Sequence, residues 1–104
     1  MKFNYTFNYS TFLSFYEKIS KTLDNWDRNT TYEEKLVYLT LDKLAAKLYP
    51  LTYKDIGTIK VKFTEIEMLT ILAALPKINY VTGNYESIQL NQFYQSIDQQ
   101  MLCY

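Results

Sequence analysis

Residues 58–76 read TIKVKFTEIEMLTILAALP, and the order of apolar and polar residues in this stretch decides the fold. In its first half, Ile59, Val61 and Phe63 alternate with threonines and lysines. Alternation with a period of two residues is typical of a strand that buries one face and exposes the other. The pattern therefore predicts a half-buried strand over residues 58–63.

The second half of the same stretch has the signals of a helix that follows the strand at once. Thr64 is followed three residues later by Glu67, the spacing of a capping box in which each side chain binds a backbone N–H of the first turn. The most apolar run of the chain, residues 68–75, comes next and ends at Pro76, which has no N–H to continue a helix. We therefore expect a strand, a tight turn and a buried helix.

The N-terminal residues repeat this order of strand and helix. Four aromatic residues alternate with polar ones over residues 2–9, which predicts a second strand with an aromatic face: Phe3, Tyr5, Phe7 and Tyr9. A helix over about 11–24, capped by Ser10 or Thr11, should follow, with an apolar stripe that leaves Lys18 and Lys21 aside. The aromatic face either covers the 58–63 strand and the helices or pairs with a strand of another molecule.

The middle of the chain predicts a central helix. Thr31 and Glu34 form a second capping-box pattern, and Pro50 ends a helix of about 32–49. Two apolar stripes run along it, one of Val37, Leu41, Leu44 and Leu48 and the other of Tyr32, Leu36, Leu39 and Ala46. A helix that is apolar on two sides is expected to have neighbours on both. Residues 50–57 are expected to form a connector.

A last helix is predicted over about 85–102, after a turn at Gly83-Asn84. Its apolar stripe consists of Leu90, Phe93, Tyr94, Ile97 and Met101. Its other face is polar and nearly uncharged: Gln89, Asn91, Gln92, Gln95, Ser96, Gln99 and Gln100. Such an amide-rich face suits burial against a partner, although an ordinary helix surface has a similar composition.

These elements predict an α+β fold of four helices and a short two-stranded sheet, with strands at about 2–9 and 58–63. A chain of 104 residues, of which 48% are hydrophobic and 21% charged, can bury one core, so we expect a single domain over residues 1–104.

Composition removes most catalytic and metal chemistry from consideration. The chain has no histidine, one cysteine and two glycines, which excludes His-based catalytic triads, His or four-Cys zinc sites and glycine-rich phosphate loops. The pairs Glu33-Glu34 and Glu65/Glu67 stand in first helical turns, where they complement the helix dipole. We therefore expect no enzyme activity, no cofactor and no metal ion.

The most favoured function is non-catalytic binding of another protein, and the chain is also a candidate homodimer. Eleven tyrosines give large contact area at low entropic cost, which favours interfaces. The expected contact residues are Tyr5, Tyr9, Tyr80 and Tyr85, with Gln92, Gln95 and Gln99 from the amide face. The composition is typical of accessory proteins of phages or mobile elements, either inhibitors of a host protein or virion components, although an AT-rich genome gives a similar bias.

The alternative is a module that binds single-stranded nucleic acid through Lys54, Lys60, Lys62 and tyrosines, since bases stack on rings while phosphates meet ammonium groups. Eleven basic and eleven acidic residues cancel, which weakens this alternative, and lysines on a strand also guard against edge-to-edge pairing. A single cysteine and the lack of a signal-peptide pattern or of an apolar run of membrane-spanning length predict an intracellular, cytoplasmic protein.

Overall fold

The computed structural model describes residues 2–26, 31–54, 57–75 and 85–102. These residues form two strands, four α-helices and one 3₁₀ helix, so the predicted α+β class is confirmed. The order along the chain is β1 (Lys2–Asn8), α1 (Tyr9–Asp24), α2 (Tyr32–Leu48), the 3₁₀ helix (Tyr49–Tyr53), β2 (Thr58–Thr64), α3 (Glu65–Ala74) and α4 (Tyr85–Leu102).

The two strands pair with each other in an antiparallel sheet, which is one of the pairings that the sequence left open. Phe3 lies opposite Phe63, Tyr5 opposite Val61, and Phe7 opposite Ile59. On the inner face, all three β2 residues and Phe7 are buried. The outer face has threonines, lysines and asparagines, and all of them except the half-buried Asn8 are exposed: Lys2, Asn4, Thr6, Thr58, Lys60, Lys62 and Thr64.

The start of each helix after a strand is fixed by a side-chain cap. At α3 the capping box is confirmed, because the Thr64 N–H donates to Glu67 Oε1 at 2.8 Å and the Glu67 N–H donates to Thr64 Oγ1 at 3.3 Å. The predicted cap of α1 at Ser10 or Thr11 is wrong. Asn8 caps this helix, since its Oδ1 accepts from the Thr11 N–H at 2.9 Å, and β1 therefore leads into α1 without a linker.

Helix α2 departs from the prediction in two respects. It ends at Leu48, and the following residues continue as a 3₁₀ helix with Pro50 in its first turn, where the missing N–H costs nothing. The stripe of Leu41, Leu44 and Leu48 is buried, but the second apolar stripe is exposed rather than covered. The expectation that α2 has neighbours on both apolar sides is therefore wrong for the Leu36 side.

One hydrophobic core joins both strands and all four helices. Its centre is a group of rings around Phe93 of α4, whose centroid lies 4.8 Å from that of Phe7 and 5.1 Å from that of Phe15. Lys18, which the sequence pattern placed beside the apolar stripe of α1, is buried at this α1–α4 contact, with Nζ 5.0 Å from the Tyr94 ring centroid. Within the described ranges, no helix is both long and apolar enough to cross a membrane.

Candidate binding surfaces

Tyr5 and Tyr9, two of the tyrosines predicted to contact a partner, take part in the packing of the fold. The Tyr5 ring centroid lies 4.7 Å from that of Phe93 and 4.9 Å from that of Phe7, and burial raises the pKa of the Tyr5 hydroxyl. The Tyr9 hydroxyl donates a hydrogen bond of 2.6 Å to the carbonyl oxygen of Thr52, which ties α1 to the 3₁₀ helix. Both side chains remain partly accessible at the surface.

The other predicted contact residues lie on or before α4. Tyr80 falls outside the described residues, and Tyr85 is the first residue of α4, but its side chain is not described. Gln92, Gln95 and Gln99 are exposed and follow one another at the spacing of a single helix face. This amide stripe starts next to Phe93, the residue whose ring packs on Tyr5.

The lysines of the nucleic-acid alternative lie on the open side of the sheet or close to it. Lys60 and Lys62 are exposed on the outer face together with Lys2, and Lys54 is exposed after the 3₁₀ helix. The rings of β1 and β2 all point to the inner face, because side chains alternate along a strand. The outer face therefore offers cations without rings on which bases could stack.

Four large aliphatic side chains are exposed on α2 and α3, and sequence reasoning did not assign them to a site. Their exposed fractions are 59% for Leu36, 55% for Leu39, 55% for Ile66 and 49% for Leu69. We call these four residues the α2–α3 apolar surface. The pattern that could have revealed it is the second apolar stripe of α2, which was expected to be covered.

The position of this surface follows from helix geometry and one ion pair. Leu36 precedes Lys47 by eleven residues, close to three full turns, so both side chains lie on the same side of α2. Lys47 Nζ lies 3.0 Å from Glu67 Oε1 of α3 and also donates to the carbonyl oxygen of Lys62. Leu36 therefore lies on the side of α2 from which the ion pair joins this helix to α3.

A groove of about 540 Å³ lies between α1 and α2. It is lined by three tyrosines, two aspartates, and small and aliphatic residues: Tyr16, Ser20, Leu23, Asp24, Tyr38, Asp42, Ala45, Ala46 and Tyr49. We call this the α1–α2 groove. Sequence reasoning missed it because each helix contributes polar residues that look like an ordinary exposed face. Only the packing of α1 on α2 brings the two sets together.

The ring contacts hold both ends of this groove. Tyr49 contacts Tyr16, with centroids 6.2 Å apart, and also contacts Tyr53, to which its hydroxyl is hydrogen-bonded. The hydrogen bond raises the pKa of the Tyr53 hydroxyl. At the other end, the Tyr38 ring lies 5.7 Å from Trp26. Each tyrosine that lines the groove therefore packs against at least one neighbouring ring.

The described residues contain no group of three or more cysteine, aspartate or glutamate side chains placed to hold a metal ion. Comparisons with models of protein families, with curated proteins and with solved structures found no match to this chain.

Proposed function

We propose that this chain is a non-catalytic protein-binding module and that the α2–α3 apolar surface is its main contact site. The observation that supports the proposal is the exposure of Leu36, Leu39, Ile66 and Leu69 on two adjacent helices. Single exposed leucines are common on protein surfaces, whereas larger exposed apolar surfaces favour an interaction site. The Lys47–Glu67 ion pair joins the same two helices.

The energetics of this surface favour a protein partner. Covering a large aliphatic side chain stabilises a complex by roughly 1.5–3 kcal/mol, and the residues at the centre of an interface contribute most. Lys47 and Glu67 are already paired with each other, so a partner that covers the leucines would not leave either charge unpaired. The predicted contacts at Tyr5, Tyr9 and the amide stripe of α4 would then form a second, more polar surface on another side of the molecule.

The partner is another protein or a second copy of this chain. The placement as an accessory protein of a phage or mobile element, as an inhibitor of a host protein or a virion component, rests on composition and stays a prediction. The single cysteine favours a protein that functions in the reducing interior of a cell.

The test is site-specific photo-crosslinking in the cells that produce the protein. A benzoyl-phenylalanine at position 39 should form one defined adduct, while the same probe at position 17, where Glu17 is exposed on α1, serves as the matched control. In the variant L36S/L69S the adduct should decrease, and affinity for the captured protein should fall by about tenfold or more. An adduct that contains only this chain would identify the partner as a second copy.

The proposal is contradicted when positions 39 and 17 give the same diffuse adducts, or when L36S/L69S leaves the adduct unchanged. Circular dichroism of each variant tests whether the fold is intact, so that unfolding can be excluded as the cause of a lost adduct.

A second candidate function has one observation in its favour. Lys2, Lys60 and Lys62 share the outer face of the sheet, and no acidic residue belongs to that face in the described strands. Affinity for a dT20 oligonucleotide that falls steeply with salt and is lost in K60Q/K62Q would support nucleic-acid binding instead. A further loss in K54Q would extend the site to the 3₁₀ helix.

A further inference from the structure

The α1–α2 groove has a chemistry that the proposed protein-binding surface does not use. We propose that it binds the cationic side chain of a lysine or arginine presented by another protein. The site stands on its own geometry and does not require that the α2–α3 apolar surface be the main interface.

The charge of the groove favours a cation. Asp24 lies at the end of α1 and Asp42 in the middle of α2, and both are exposed while lining the groove. No lysine lines the groove. Among the described residues, neither aspartate forms an ion pair within 4 Å, and the ion pair that is found joins Lys47 to Glu67. Lys21 and Lys43 are exposed on neighbouring positions of the same helices but do not line the groove.

The aromatic walls favour the same ligand. The faces of tyrosine rings attract ammonium and guanidinium groups, and a carboxylate close by adds a charge-assisted hydrogen bond. Tyr16 and Tyr49 stand at one end of the groove and Tyr38 at the other. The contacts of Tyr49 with Tyr53 and of Tyr38 with Trp26 restrict these rings, which lowers the side-chain entropy that would be lost on binding.

The groove leaves room for an aliphatic stem. Three of the residues that line it, Ser20, Ala45 and Ala46, are small. Each aspartate lies about one helical turn from one of them, because Asp24 follows Ser20 by four residues and Asp42 precedes Ala46 by four. Lysine and arginine lay their methylene groups on apolar surface and keep the charged end near polar groups. The volume of about 540 Å³ is within the range of roughly 300–1,000 Å³ that is usual for ligand pockets.

The groove is also next to the α2–α3 apolar surface. Ala46 lines the groove, and Leu39 precedes it by seven residues, or about two turns, so the two lie on neighbouring lines of α2. One partner with a basic residue beside an apolar patch could therefore contact both sites.

The test uses small probes in place of the unidentified partner. N-acetyl-arginine amide and N-acetyl-lysine amide are titrated into the ¹⁵N-labelled protein, with N-acetyl-citrulline amide as an uncharged probe of nearly the same shape as arginine. The expected result is saturable shift changes at the backbone amides of residues 20, 24, 42, 45 and 46 with both cations and none with citrulline. In D24N/D42N the affinity should fall by about tenfold or more. The matched control E33Q/D98N removes the same charge elsewhere and should bind like the wild type.

Two results would overturn the proposal. One is the absence of saturable changes at the groove residues. The other is equal changes at all exposed carboxylates, with D24N/D42N and E33Q/D98N behaving alike. The variant L36S/L69S separates this inference from the proposed function, because it should lose the crosslinked partner and still bind the cationic probes. Cation binding without a protein partner, or a partner without cation binding, would each contradict one of the two statements alone.

Discussion

Single side chains in this protein have roles that their residue type alone does not indicate, and Lys18 is the clearest example. A lysine beside the apolar stripe of a helix is ordinarily exposed, because its ammonium group is strongly hydrated. Here the side chain is 8% exposed, and α4 covers it with the Tyr94 ring. The sequence of α1 could not show this, since the covering residue comes from a helix far along the chain.

The buried position of Lys18 predicts a pH dependence of stability. Burial lowers the pKa of this ammonium group below its ordinary value of 10.5, so the unfolded chain binds the proton more tightly than the folded one. The resulting loss of folding stability is complete at neutral pH and disappears as the pH rises to the pKa that Lys18 has in the unfolded chain. The free energy of unfolding of the wild type should therefore rise relative to that of K18M between about pH 8 and about pH 10.5.

Urea unfolding of the wild type and of K18M at both pH values measures this difference in the free energy of unfolding. Both proteins contain the same tyrosines, so the titration of most of them cancels. K21M is the matched control, because Lys21 is exposed on the same helix. A gap between wild type and K18M that stays constant with pH, or that changes equally in K21M, would show that Lys18 keeps its ordinary pKa.

At the scale of the elements, local patterns predicted the structure where the signals are close in sequence. The alternation of β2 and the Thr64–Glu67 capping box lie within a few residues, and both were correct because strand pleating and capping are local effects. The cap of α1 was assigned to Ser10 or Thr11 because the aromatic alternation extends to Tyr9. Asn8 caps earlier because the chain turns directly from strand to helix.

The two apolar stripes of α2 show what helical periodicity can predict and what it cannot. Periodicity identifies an apolar side of a helix but does not say whether a neighbour exists to cover it. One stripe is buried in the core, and the other, with Leu36 and Leu39, is exposed. The α1–α2 groove was missed for a related reason, because its lining comes from two helices that the sequence does not place against each other.

The exposure of the second stripe predicts a clear contrast between substitutions in α2. L36K should change the free energy of unfolding by no more than about 0.5 kcal/mol, since an exposed side chain makes few contacts that folding requires. L44A should cost about 2–5 kcal/mol, because Leu44 is 1% exposed and its removal leaves a cavity. Chemical unfolding followed by circular dichroism measures both. A loss of more than about 2 kcal/mol in L36K would mean that this stripe is covered after all.

At the scale of the whole molecule, one ring joins elements that are distant in sequence. The Phe93 centroid lies 4.7 Å from that of Tyr5, 4.8 Å from Phe7, 5.1 Å from Phe15 and 5.5 Å from Phe63. These neighbours belong to β1, α1 and β2, so Phe93 attaches α4 both to the sheet and to the first helix, beside the other buried residues of α4. Alternation and helical periodicity placed these rings on the apolar faces of their elements, but could not show that they meet at Phe93.

This arrangement predicts that the described elements unfold together and that Phe93 controls the transition. F93A should cost about 3–5 kcal/mol, because it removes a fully buried ring and leaves its neighbours around a cavity. That loss is a large part of the roughly 5–15 kcal/mol available to a small domain, and the melting temperature should fall by roughly 15–30 °C. I88A, at an exposed position of the same helix, should shift it by less than about 4 °C. Melting is followed by far-ultraviolet circular dichroism and by tyrosine fluorescence, which should give the same midpoint in the wild type. Separate midpoints for the two signals, or an F93A protein that melts like I88A, would mean that α4 is not held to the sheet through this ring.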